Sequence, residues 1–213
     1  MTAPVLRRMS ARDIVERASA PLRKGVTVDL TELLVDEPLD LSGATLGNLD
    51  FSRSVFRAPV RLRGATFAGL AWFEHCDVGA AFDASDAVFC NDLRLRHSTV
   101  RQSIQLSRAE VRGVCSLDRA RFEGRADLDA MTVLGNMSLA DTVFAAPVTL
   151  QDCQLLGGLW CDGAQFLSRA DFRGVEVHGR TWLKRTTFTD ADRKTAFAGS
   201  PERDIQSYGY RWT

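Results

Sequence analysis

Apolar positions recur along this chain at a spacing that fits neither an amphipathic helix nor a simple alternating strand. From Phe56 onward, every eleventh residue is Phe, Val or Leu: Phe56, Phe67, Val78, Phe89, Val100, Val111, Phe122, Val133, Phe144, Leu155, Phe166, Val177 and Phe188. A second series lies five residues earlier and runs from Phe51 to Leu183, with Ala84 and Cys161 as its weak members. The apolar spacing therefore alternates five and six over 138 residues. Two residues before each member of the first series stands a mostly small residue, among them Ser54, Ala65, Cys76, Ala87, Ser98 and Ala109. Positions i and i−2 share a face in an extended chain. Each unit thus turns one small and one large side chain inward, with a polar residue between them facing out, as in Ala65-Thr66-Phe67.

Turn residues set the longer period. Gly69, Asn91, Gly113, Gly135, Gly157 and Gly179 are spaced by 22, whereas the half-way positions Ala80, Gln102, Gly124, Ala146 and Ser168 are not glycine-rich. Four short strands and four corners per 22-residue coil follow. The Gly/Asn column is expected at positive φ, which these two residues tolerate best.

Stretches such as LSGATL (41–46), LRGATF (62–67) and RADFRG (169–174) resemble the pentapeptide-repeat proteins. The resemblance covers about residues 39–188 and implies an all-β fold, a right-handed quadrilateral β-helix. The chain departs from a plain five-residue rhythm by one extra residue in alternate units, so alternate corners are expected to be wider. The family includes gyrase-binding topoisomerase protectors, secreted effectors and many members of unknown role, so the resemblance implies fold more than function.

The ends differ from the middle. Residues 10–20 read as a short helix with Ser10 as N-cap, Asp13 in the first turn and Pro21 as stop. Residues 1–25 form an N-terminal arm and capping helix, 26–188 the solenoid with an irregular first coil, and 189–213 a non-repeat C-terminal tail. That tail ends in Tyr208, Tyr210 and Trp212 and is expected to fold over the outward Trp160/Trp182 pair, in its own chain or in a second copy.

Three outward columns stand out at a 22-residue step. One carries Trp72, Arg94, Trp160 and Trp182, a surface able to stack on a sugar or an aromatic ring. Another carries His75, His97 and Arg119, with Arg96 nearby. Stacked imidazoles suit acid–base work, but no third metal ligand is evident, so an anion-binding patch is the better reading and no metal is expected. The third carries Arg61, Asp83, Gln105, Asp127, Thr149, Asp171 and Arg193 and reads as a solvated face.

Composition narrows the classes. There are 27 basic and 27 acidic residues, and residues 51–188 carry 17 basic against 15 acidic, so no gross field marks a nucleic-acid binder or an acidic nucleic-acid mimic. No apolar run reaches the about 20 residues of a membrane span. The first residues lack the apolar core of a signal peptide. Five Cys without a CxxC pair read as reduced thiols in a cytoplasmic protein, four of them inward and Cys90 at a corner. Richness in Ala and Arg points to a high-GC bacterium. Phosphate loops, nucleophile elbows and dinucleotide fingerprints are missing, and no cofactor is expected. The leading expectation is a non-catalytic rigid scaffold that presents flat side-chain ladders to a protein partner or to a second copy of itself. A small molecule at the Trp face is a further candidate ligand. One alternative is an enzyme for proton transfer or cyclisation, using Trp72, Trp160 and Trp182 beside the His75/His97 corner. The other, implied by the resemblance alone, is a topoisomerase-interacting self-resistance protein.

Overall fold

A computed structural model of the chain describes residues 6–19, 25–188 and 204–212. Four parallel sheets of seven to nine short strands wall a β-solenoid of about eight turns. Successive coils pair in parallel at a step of 22, as in Leu93 with Cys115 and Val100 with Phe122. The first full coil is one residue shorter, pairing Thr45 with Thr66 and Leu39 with Val60 at a step of 21. Most strands are only two residues long, because the chain must turn every five or six residues to keep both apolar series inside.

The inward register matches the sequence pattern. Phe56, Phe67, Phe89, Phe122 and Phe166 are fully buried, as are Leu62, Leu95, Leu117, Leu139 and Leu150. Like residues on successive coils stack, giving Phe122–Phe144–Phe166–Phe188 with ring centroids 5.1, 5.2 and 4.9 Å apart. The small inward column accepts polar members because a carbonyl of the previous coil lies within reach. Ser54 Oγ donates to Leu30 O at 3.1 Å, Thr142 Oγ1 to Leu117 O at 2.8 Å and Thr186 Oγ1 to Cys161 O at 2.7 Å. The buried thiols of Cys76 and Cys153 do the same toward Phe51 O and Leu128 O, at 3.1 and 3.0 Å. Burial pushes both thiols, with those of Cys115 and Cys161, up to about 12, so they remain neutral and inert.

Corners alternate between tight and wide, as the extra residues require. Positive φ falls at the tight corners, not in the glycine column. Arg53, His75, His97, Arg119, Asp141 and Arg185 have φ between 53° and 61°, and so, at the next tight corner, do Asp86, Arg108, Ala130 and Asp152. Each occupies the third position of a four-residue turn closed, for example, by Ser98 N donating to Leu95 O at 3.2 Å, the type II arrangement. Left-handed backbone costs a side-chain-bearing residue about 1–2 kcal/mol. Here the inter-coil bonds hold it, as where His75 N donates to Arg96 O at 2.8 Å.

The glycine column at 69, 113, 135, 157 and 179 serves close approach instead. A Cβ added at Gly135 or Gly157 would lie under 3.0 Å from the backbone of Gly113 or Gly135, one coil back. That corrects the expected reason for these glycines: the backbones of successive wide corners stack too tightly for side chains.

The N-terminal helix, α1, spans Ala11–Ala18, and Ser10 Oγ accepts from Asp13 N at 3.1 Å while donating to the Asp13 carboxylate at 2.7 Å. Ile14 and Ala18 are buried, so α1 covers the open apolar end of the first coil.

At the C-terminal end the described tail residues join the sheets. Ile205–Ser207 pairs in parallel with Val175–Val177, and Arg211–Trp212 pairs with Thr181–Trp182. These residues lengthen the rod at a step of 30 rather than lying across the Trp160/Trp182 surface. Residues 189–203 lie outside the described residues. The third outward column is also less solvated than expected, since Thr149 and Asp171 are buried. Thr149 Oγ1 donates to the Asp129 carboxylate at 2.5 Å, and Arg173 grips Asp171 with two bonds of 2.8 and 2.9 Å. Arg193 of that column lies outside the described residues.

Candidate functional site

One wall carries the tryptophans. Its outward column reads Asp50, Trp72, Arg94, Ser116, Ser138, Trp160 and Trp182, joined by parallel pairing at every step, and the Trp212 backbone pairs beside that of Trp182. Two corners flank it. On one side lies the tight corner of His75, His97 and Arg119, and on the other the glycine corner.

The half of this wall nearer the N-terminus is electrostatically self-contained. The Arg94 guanidinium sits 5.2 Å from the Trp72 ring centre, the cation–π contact read from the column. Arg94 also pairs with Asp92 at 2.8 Å and approaches Glu74 at 3.9 Å. His75 and His97 stack face to face, 4.5 Å between centroids and 4° from parallel. Desolvation, then the charges of His75, Arg119 and Arg96, hold the His97 imidazole below the ordinary histidine value. The expected anion patch is compensated from within: Arg96 faces Asp118 at 4.0 Å and Arg119 faces Asp141 at 3.5 Å. No cluster of three or more His, Cys, Asp or Glu able to hold a metal occurs among the described residues.

The half nearer the C-terminus is built differently. Trp160 and Trp182 stack with centroids 5.7 Å apart and planes 17° from parallel. The other column neighbour of Trp160 is the small Ser138, so one face of Trp160 is not covered by a ring of the ladder. Beside them, the glycine corner opens into a groove of about 480 Å³ lined by Asn136, Gly157, Trp160, His178, Gly179, Arg180, Gly209 and Tyr210. Its floor is the close-packed backbone of Gly157, Gly179 and Gly209, and a Cβ at Gly209 would again meet Gly179 backbone. One margin is an outward column of Leu134, Leu156, His178 and Tyr208. Both leucines are exposed, at 43% and 42%, and the His178 and Tyr208 rings stack at 4.9 Å. Arg180 and Asn136 are exposed on the opposite margin, and Arg180 makes no ion pair among the described residues.

Of the residues singled out in the sequence, the fold therefore brings Trp160, Trp182 and Tyr210 to one corner, with Tyr208 at its rim. It gathers Trp72, Arg94, Arg96, His75, His97 and Arg119 some coils away. Leu134, Leu156, His178, Arg180 and Asn136 escaped the sequence reading. The signal was present. His178-Gly179-Arg180-Thr181-Trp182 is echoed by Tyr208-Gly209-Tyr210-Arg211-Trp212, but at a step of 30 instead of 22.

Comparison with protein-family models, with curated proteins and with solved structures gave no match. A solenoid of stacked parallel coils about 22 residues apart is consistent with a pentapeptide-repeat type of fold. No helix among the described residues is long and apolar enough to cross a membrane.

Proposed function

We propose that this chain is a rod of pentapeptide-repeat type that works as a non-catalytic binding scaffold, with the C-terminal half of its glycine corner as the contact surface for a protein partner. The observation that carries the reading is the clustering of exposed apolar groups there. Leu134, Leu156, Tyr208 and Tyr210 are 43%, 42%, 63% and 76% exposed, on a surface otherwise laced with Arg–Asp and Arg–Glu pairs. Contiguous exposed apolar side chains on a rigid wall mark contact sites. A scaffold also suits a core whose buried thiols are held neutral and whose inward hydroxyls, such as those of Ser54 and Thr142, bond carbonyls of the previous coil. The reduced, buried cysteines fit a cytoplasmic home.

The test compares the wild-type chain with a Leu134→Ser, Leu156→Ser double variant, each purified from the same cells. A protein retained by the wild type and lost from the double variant, both folded by circular dichroism, is the expected result. Retention of the same protein by both would remove this corner from the reading. Small-molecule turnover abolished by His75→Ala, His97→Ala would replace the scaffold with the enzymatic alternative.

A further inference from the structure

Resting on that scaffold reading, we infer that the partner enters the glycine-corner groove as a proline-rich segment in polyproline II conformation, with an acidic side chain directed at Arg180. The first argument is what the groove does not offer. A peptide adding as a β-strand needs a sheet edge with free N–H and C=O groups. At this corner the strands on both sides are already paired: Asn136 with Gly158, Gly158 with Arg180, and Glu176 with Gln206.

The second argument is what the groove does offer. It is a side-chain-free floor of Gly157, Gly179 and Gly209 between Trp160 on one margin and His178 on the other. Aromatic-walled grooves of this kind accept pyrrolidine rings, whose chain is already extended and loses little entropy on binding. A polyproline II backbone leaves every carbonyl without an internal donor. The Asn136 amide, the Arg180 guanidinium and the Tyr210 hydroxyl are donors on the same groove that form no hydrogen bond among the described residues.

The third argument is periodicity and charge. A polyproline II helix repeats about every 9.3 Å, close to the about 9.6 Å of two stacked coils. A ligand lying along the rod therefore presents like faces to Trp160 and to the Tyr210 level, two coils on. Arg180 stands between them in sequence register, exposed and unpaired among the described residues, so an acidic residue in the segment meets it without displacing an existing partner. His178, by contrast, already faces Glu176 at 3.7 Å.

The experiment titrates the full chain into fluorescein-labelled (Pro-Pro-Glu)4 and, separately, (Gly-Ser-Glu)4 of equal length and charge, followed by anisotropy. The proline peptide is expected to bind at least about tenfold more tightly, and Trp160→Ala to weaken it by at least about tenfold. Arg180→Gln should weaken it and flatten its salt dependence. Trp72→Ala, remote from the groove, should leave binding unchanged. Equal binding of the two peptides, or an equal loss in Trp72→Ala, would each overturn the inference. If the leucine double variant loses its protein partner while no proline peptide binds, this inference falls and the scaffold reading stands. If the partner stays with the double variant, it is the scaffold surface that is wrong.

Discussion

Phe144 is the sharpest probe of how the core holds. Its side chain is 1% exposed and lies between two other rings, Phe122 at 5.1 Å and Phe166 at 5.2 Å. Truncation to Ala removes a buried ring whose loss ordinarily costs about 3–5 kcal/mol, cavity included. Two stacked contacts, each contributing about 0.5–1.5 kcal/mol beyond area, place Phe144→Ala at the upper end of that range. Phe89 is equally buried but stacks on one ring, Phe67 at 5.0 Å, with Val111 on its other side. Phe89→Ala should therefore be milder by about one such contact, or about 0.5–1.5 kcal/mol. For a chain of this size about 1 kcal/mol corresponds to about 2–4 °C, so Phe144→Ala should melt roughly 8–20 °C lower. Thr132→Ala, on the outward side of a strand, should stay within about 0.5 kcal/mol of the wild type. The assay is far-ultraviolet circular dichroism on heating, with amide exchange to locate the loosening. Each coil touches only its neighbours, so exchange should rise on the coils of Phe122 and Phe166 before it rises at α1. Equal melting losses in Phe144→Ala and Thr132→Ala would refute the inward register, and equal losses in Phe144→Ala and Phe89→Ala would refute the stacking argument.

Two further outcomes are expected. Gly135→Ala should cost about 1–3 kcal/mol by forcing stacked backbones apart, and Gly135→Asn no less. Rescue by Asn in a melting experiment would instead mean that the column is there for positive φ. For His97, the folded state binds protons less readily than the unfolded chain, so stability is full above the ordinary value of about 6.5 and declines as pH falls below it. Melting between about pH 7.5 and about pH 5 should show that decline in the wild type and less of it in His97→Asn, a residue that accepts the left-handed corner; identical profiles would count against the stacked-imidazole account.

Much of this fold was legible because its logic is local. Side chains alternate along an extended chain, so the spacing of Phe56, Phe67, Val78 and their successors already states which residues face in and how often the chain must turn. Ser10 and Asp13 likewise announce a helix start within one turn of sequence. The outward columns followed from the period alone, which is why the Arg94–Trp72 contact and the His75–His97 stack were readable in advance.

Other features depend on atoms that neighbouring coils bring together, and no local rule reports them. The left-handed corners fell on Arg, His and Asp, because the tight four-residue turn sets φ and inter-coil hydrogen bonds hold it whatever the side chain. The glycine column turned out to answer the distance between stacked wide corners, a quantity that exists only once coils are piled up. The tail was hidden by eight extra residues, since pairing at a step of 30 breaks the 22-residue register while satisfying the same backbone ladder. The groove at Asn136, Trp160, His178, Arg180 and Tyr210 arises from that last displaced coil. Its residues come from four different turns, and what joins them is the close stacking of glycine backbones that leaves no side chain to fill the space.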